Sequence, residues 1–195
     1  MKKLFFISAL AASTLALQDC NRNPNQLKST SETTTEISDS TVNDIPMASL
    51  AKDMENSSFA EKACSGGMME VILAKIAQEN ASSDKVKKFA MMLEKDHSKA
   101  NDELMAIADK MKVTLPKEMM PMQEQIVADL KTKTGAEFDK AYMDMMVNDH
   151  NEDISLFEKE AQSNSDVMLR DFATKTLPVL KMHLSAAKST LSELK

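Results

Sequence analysis

The side chains in this sequence that are best able to do chemistry are three histidines and one glutamate, spread over four predicted helices. They are Glu70, His97, His150 and His183, and the chain contains no other histidine. In an α-helix, positions i, i+3, i+4 and i+7 share a face, and the apolar stripes with that spacing include all four residues. Because a buried polar group needs a hydrogen-bond partner or a metal ion, we expect these side chains to meet in the core.

The same four residues also agree in height along a bundle of helices. At 1.5 Å per residue, Glu70 and His97 lie about 18 and 22 Å from the turn predicted near residue 82. His150 and His183 lie about 21 and 28 Å from the turn predicted near residue 164. Two interpretations follow. The residues form a hydrogen-bonded network that only fixes the packing, or they form a mononuclear metal site, for which three imidazoles and one carboxylate suit a divalent transition metal such as Zn²⁺ or Fe²⁺.

Two further acids are peripheral candidates for this site. Glu94 precedes His97 with the Glu-x-x-His spacing but points about 60° away from it, and Asp153 follows His150 by about one turn. Two-iron sites in helical bundles use two inward Glu-x-x-His pairs, and only one such string occurs here. The sequence therefore disfavours ferroxidase chemistry, and it assigns no reaction.

The elements that must position these residues are predicted to be helices only. Glycine is scarce, with 3 residues, whereas methionine, a good helix former, occurs 17 times. Capping signals and apolar spacing predict four long helices and one short one, and thus an all-α fold, an antiparallel four-helix bundle with one extra short helix. The predicted ranges are 58–80, opened by a capping box at Ser58 and Glu61, then 83–111, a short helix at 117–132, 135–162 and 163–194, where Pro178 predicts a kink.

The N-terminus has the pattern of an export signal. Lys2 and Lys3 precede an apolar stretch of 14 residues, 4–17, which is within the usual length for a secretory signal peptide. We therefore predict a signal peptide at 1–19 and a lipidated Cys20, which would place the protein in the cell envelope as a periplasm-facing, membrane-anchored lipoprotein. The alternative is an ordinary cleaved signal, in which Cys20 has no such role.

The rest of the chain is predicted to divide into a tether and a domain. Residues 20–56 are rich in polar side chains and predict a disordered tether, and residues 57–195 predict the folded bundle. The formal net charge is −6, and no basic block larger than Lys87-Lys88 occurs. Because binding to phosphates needs clustered cations, the sequence argues against nucleic acid as a partner. The predicted partner is the membrane, reached through the N-terminal lipid.

The domain resembles a known bacterial family, the domain of unknown function 4142, which is placed in the ferritin-like superfamily. The resemblance implies an exported ferritin-like four-helix bundle without a settled activity. Because Glu70 and the three histidines match positions of the family pattern, it also favours a ligand-binding site over a structural or interaction lipoprotein. The matching strings are Phe59-Ala60 through Glu70, Phe89-Ala90, Asp96-His97-Ser98-Lys99-Ala100, Glu103-Leu104, Gly135, Phe138-Asp139, Tyr142, Met146-Val147, His150, Phe172-Ala173, Leu177-Pro178 and His183.

Overall fold

Five helices make up the part of the chain that the computed structural model describes, residues 47–163 and 166–194. Helix α1 packs mainly on α2, and α4 mainly on α5, while α2 also contacts α5 and α1 also contacts α4. Within these residues the structure contains no strand, so the predicted all-α bundle is confirmed. None of the described helices is long and apolar enough to cross a membrane. The helices are α1 Met47–Asn80, α2 Asp84–Met111, α3 Pro121–Lys131, α4 Gly135–Ala161 and α5 Val167–Glu193.

A polar layer separates two apolar halves of the core. One half is centred on Leu73, Leu93 and Met146, and the other includes Leu104 and Phe157. On each long helix, one polar side chain lies between residues of the two halves. These side chains are Glu70 on α1, His97 on α2, His150 on α4 and His183 on α5. The packing of apolar residues above and below therefore brings the four predicted site residues to one level.

Helix α1 begins at Met47, eleven residues before Ser58, so the predicted helix start at Ser58 is wrong. Ser58 is an exposed position inside the helix, and residues 47–56, assigned to the tether, are helical. A contact distant in sequence holds this part of the helix. Asn56 is only 5% exposed, and its Oδ1 accepts the backbone N–H of Asp166 at 3.1 Å. The predicted signal peptide 1–19, Cys20 and the tether up to residue 46 lie outside the described residues.

The contact between Asn56 and Asp166 leads to a prediction that distinguishes a helix start at Met47 from one at Ser58. Asn56→Ala should lower the free energy of unfolding by about 1 kcal/mol or more, because the N–H of Asp166 loses its acceptor. Ser58→Ala should change it by less than about 0.5 kcal/mol, because an exposed position in mid-helix caps nothing. Alanine is a better helix former than asparagine or serine, so any loss in the free energy of unfolding reflects a lost contact and not a lower helix propensity. Urea unfolding of both variants measures the difference, and a larger loss for Ser58→Ala would restore the start at Ser58.

The other helix ends also depend on contacts between elements. Ser82 and Ser83 precede α2, and the N-cap residue Ser83 makes no side-chain capping bond. Instead, the backbone N–H groups of both residues donate to the Asp139 carboxylate on α4 at 3.0 and 2.9 Å. Helix α3 begins at Pro121 rather than at 117, because Pro121 takes the first helical position. The loop before it is fixed to α1, since the N–H of Met120 donates to Ser65 Oγ at 2.8 Å.

Helix α5 begins at Val167 rather than at 163, and its N-cap is Asp166. The Asp166 side chain accepts the N–H of Met168 at 2.8 Å, which is the usual bond of a capping aspartate. Pro178 lies inside α5, as expected from the sequence.

Candidate metal centre

The four predicted site residues lie together in the polar layer between the two apolar halves. Glu70, His97, His150 and His183 are 1%, 6%, 0% and 1% exposed. The centroids of the three imidazole rings are 5.2 to 5.6 Å apart. One nitrogen of each ring lies within 4.8 Å of a nitrogen of the other two. Four helices therefore bring three imidazoles and a carboxyl group into one buried cluster.

Two of the histidines have one ring nitrogen engaged by a neighbour. His97 Nδ1 lies 2.6 Å from Glu70 Oε2. His150 Nδ1 donates to the backbone carbonyl of Met146, one turn earlier on α4, at 3.0 Å. Because a carbonyl oxygen only accepts, His150 carries its proton on Nδ1 and has a lone pair on Nε2. Glu70 Oε1 lies 3.5 Å from the same Nδ1, so this one carboxyl group contacts both rings.

The third histidine, His183, has its contact at Nε2 and not at Nδ1. His183 Nε2 lies 3.0 Å from Asp96 Oδ2, a partly exposed carboxylate on α2 that fixes the ring and directs its proton outward. The remaining nitrogens are buried, and none has a hydrogen-bond partner among the described residues. They are His97 Nε2, His150 Nε2 and His183 Nδ1.

The electrostatic environment keeps all three imidazoles neutral. Burial lowers the pKa of His97 to about 4, against the opposing pull of the Asp149 and Asp96 charges. Burial and the charges of the other two histidines lower the pKa of His150 to about 3. Burial also lowers the pKa of His183, although its bond with Asp96 opposes the shift. At neutral pH each ring therefore has one lone pair, and a neutral imidazole is the form that binds metal ions.

Three carboxyl groups surround the imidazoles, and burial raises the pKa of each. The pKa of Glu70 and that of Asp153 are raised well above their ordinary values, first by burial and, for Asp153, by the nearby carboxyl groups as well. Burial and the charge of Glu70 raise the pKa of Asp149 to about 8. The cluster therefore holds protons at neutral pH that an arriving cation can displace.

Two contributors to this cluster were missed by the sequence reasoning. Asp149 offers a carboxylate oxygen that lies within 4.8 Å of ligand atoms of Glu70 and His150. Its signal was weak, because it sits about 100° from His150, at the flank of the apolar stripe. The spacing of four between Asp149 and Asp153 was the only available sign, since it places both on one face of α4. Asp96 belongs to the string that matches the family, but its position gave no sign of a role at the site, because a partly exposed acid beside a histidine is ordinary.

The two peripheral candidates have different surroundings. Glu94 is turned to the seam between α1 and α2, where its Oε2 accepts from Gln78 at 2.6 Å and its Oε1 lies 3.9 Å from Lys75 Nζ. Asp153 lies beside the polar layer, with its Oδ1 3.9 Å from the position that a Cβ on Gly66 would take. This is an ordinary van der Waals distance, so the Asp153 carboxyl group packs next to α1 at Gly66.

Comparison with known proteins gives the family and the fold. Residues 44–190 match the family Domain of unknown function (DUF4142), so the chain belongs to this family. No curated protein matches it. Its fold is similar to the crystal structure of a DUF305 fragment from Deinococcus radiodurans, with a TM-score of 0.64, 12% identity, and coverage of 72% of this chain and 97% of that one. A DUF305 protein from Streptomyces coelicolor is also similar, with a TM-score of 0.61, 13% identity and coverage of 71% and 93%.

Proposed function

We propose that this DUF4142 protein binds one divalent transition-metal ion, Zn²⁺ or Fe²⁺, through His97, His150 and His183. The observation that carries the proposal has two parts: ligand nitrogens of the three buried rings lie within 4.8 Å of one another, and one buried nitrogen of each ring has no hydrogen-bond partner among the described residues. Buried ring nitrogens without partners have lost their bonds to water, and a bound cation offsets this cost. A network that only fixed the packing would be expected to use these nitrogens in hydrogen bonds.

The surroundings of the three rings support the same proposal. Histidines that bind metals usually give their second nitrogen to a carboxylate or a backbone carbonyl, which fixes the tautomer and the ring orientation. Here those partners are Glu70, Met146 and Asp96, one for each ring. A tetrahedral ion with metal–nitrogen bonds of about 2.0–2.1 Å holds its nitrogens about 3.3 Å apart. The nitrogens of this cluster lie within 4.8 Å, so small side-chain rotations bring them to that spacing.

Glu70, a candidate ligand by sequence, takes a different part in this proposal. Its Oε2 lies against Nδ1 of His97, whereas the nitrogen of His97 without a partner is Nε2. We therefore assign Glu70 to orienting His97 and to balancing the charge of the ion, together with Asp149. Both carboxyl groups lose their protons as the ion enters, since a negative charge beside the cation is then favoured.

The site of action that we propose is the bacterial cell envelope. The support is the basic start and apolar stretch at 1–19, followed by Cys20, which is typical of an exported lipoprotein. A buried metal site on a tethered domain suits a role in envelope metal binding or stress protection. Three protein ligands leave a coordination position open, which is typical of sites that do more than hold a fold together.

The metal-binding half of the proposal is tested by the metal content of the purified protein. Protein made without a His tag should contain about one transition-metal ion per chain, or take up one Zn²⁺ or Fe²⁺ after treatment with a chelator. Elemental analysis of the desalted protein measures the ratio. Protein that stays metal-free after exposure to Zn²⁺, Fe²⁺, Mn²⁺ and Cu²⁺ would leave only the packing network.

The export half leads to a separate prediction. Cys20→Ser should abolish acylation and release the protein from the membrane fraction, because the thiol is the predicted attachment point for lipid. Cell fractionation and mass spectrometry of the mature N-terminus measure both effects. An unmodified N-terminus downstream of residue 20 in the wild-type protein would contradict the anchor without affecting the metal site.

A further inference from the structure

A cavity connects the candidate metal centre with the surface between α2 and α5. Its volume is about 180 Å³. Its inner end is formed by Glu70, His97 and His183, and exposed side chains of Lys175 and Met182 border it on the outside. One water needs roughly 10–15 Å³, and a cavity of about 150 Å³ in another protein accepts benzene. This cavity therefore has room for a molecule the size of a single aromatic ring.

The side walls of the cavity are apolar. Leu104 and Leu180 face it from α2 and α5, and Phe157 and Phe172 form an aromatic wall with ring centroids 5.8 Å apart. Ala100 on α2 keeps the passage wide, since its side chain is a single methyl group. Walls of this kind favour a planar, uncharged ligand, because a charged one would give up its hydration without compensation.

The charges on the cavity wall also argue against an anionic ligand. Asp96 lines it near the imidazoles, and the exposed lysines Lys99 and Lys175 line it towards solvent. Lys175 at the mouth is already paired, since its Nζ lies 2.7 Å from a carboxylate oxygen of Glu103. An anion would therefore have to pass the Asp96 carboxylate on its way to the imidazoles, whereas a neutral donor atom meets no such barrier.

We infer that this cavity admits a small neutral aromatic molecule with one nitrogen or oxygen donor, which completes the coordination of the metal ion. The inference rests on the proposed metal site and adds the ligand class of its open position. Two of the three imidazoles, His97 and His183, form part of the cavity wall, so a ligand that fills the cavity reaches the ion directly.

The test uses the full-length protein loaded with Co²⁺, a coloured substitute for Zn²⁺, and pyrazole as a neutral aromatic donor. Pyrazole should change the visible Co²⁺ spectrum in a saturable manner, and azide, a small anion, should bind at least tenfold more weakly. Ala100→Leu and Val179→Phe narrow the cavity from α2 and from α5 without touching a ligand. Each should weaken pyrazole binding at least tenfold while the Co²⁺ content stays the same. Ala106→Leu, at an exposed position on α2, is the matched control and should change the affinity for pyrazole less than twofold.

The outcomes separate this inference from the proposed function. Protein that binds Co²⁺ with a spectrum indifferent to pyrazole would overturn the inference and leave the metal site standing. Pyrazole binding that is equally strong in Ala100→Leu and Val179→Phe would also overturn it, because the ligand would then reach the ion by another route. A failure to bind Co²⁺ would overturn the proposed function itself.

Discussion

Alanine substitution of any one of His97, His150 and His183 is expected to remove most of the thermal stabilisation that Zn²⁺ gives the wild-type protein. An ion that binds only the folded state stabilises it by RT ln(1 + [L]/Kd), or about 2.7 kcal/mol when its free concentration is 100 times Kd. Each substitution removes one of three ligands from a site where the partners of the other two stay in place. The expected Zn²⁺-dependent rise in Tm of each variant is therefore close to zero.

The matched control is Asn148→Ala, an exposed position on the same helix as His150, which should keep the full Zn²⁺ response. Glu70→Gln should give an intermediate result, since loss of a group that orients a ligand lowers metal affinity by about 10–100-fold. The packing network predicts the opposite pattern. Zn²⁺ would not change the wild-type melt, and each histidine variant would lose about 1–3 kcal/mol in the absence of metal through an unpaired buried group.

The metal-free protein is expected to lose stability as the pH rises from about 6.5 to 8, with Asp149 contributing much of the loss. The pKa of the buried Asp149 is raised to about 8 in the folded state, so it keeps a proton that the unfolded chain has already released. Above the ordinary pKa of an aspartate, rising pH therefore favours the unfolded state until about pH 8. The slope for one such group is at most about 1.4 kcal/mol per pH unit.

The histidines act in the opposite direction and over a different range. The folded-state pKa of His97 is lowered to about 4, so between about 6.5 and 4 only the unfolded chain takes up the proton. Falling pH destabilises the protein in that range and opposes the effect of the buried acids. Above about pH 6.5 the histidines are neutral in both states, and the acids alone determine the slope. Zn²⁺ needs ionised carboxyl groups, so its stabilising effect should grow as the pH rises.

Urea unfolding in the presence of a chelator, at several pH values from 6.5 to 8.5, measures this effect. Asp149→Asn removes the titrating group at nearly the same volume and should flatten the decline. Asp144→Asn, on the same helix but in a surface ion pair with Lys140, should keep it. Equal slopes for the wild-type protein and Asp149→Asn would contradict the assignment of the buried proton to Asp149.

Periodicity within single helices predicted much of this molecule. The apolar stripes identified Glu70 and the three histidines as inward-facing, and the structure places all four in one layer, because a helix carries each face along its length with a constant rotation per residue. The same rule explains why Glu94, about 60° from His97, has its partners at the seam with α1 instead.

Contacts between helices were beyond the reach of that reasoning. Asp139 binds the two N–H groups before α2 across 56 and 57 residues of sequence. Asn56 accepts from Asp166 across 110 residues, and the helical start of α1 was missed with it. The roles of Asp96 and Asp149 were missed for the same reason, because they depend on which helix packs against each residue. A local pattern reports the face of a residue, whereas its partner is determined by the tertiary structure.

The most direct test of the metal site is a crystal structure of the protein soaked or grown with Zn²⁺, with diffraction data collected on both sides of the zinc absorption edge. The predicted result is one strong anomalous peak in the polar layer, at about 2.0–2.1 Å from His97 Nε2, His150 Nε2 and His183 Nδ1. Glu70 and Asp96 should remain in contact with the outer nitrogens of His97 and His183. A zinc-containing crystal with no peak in this layer, and with the three nitrogens hydrogen-bonded to ordered water, would contradict the site.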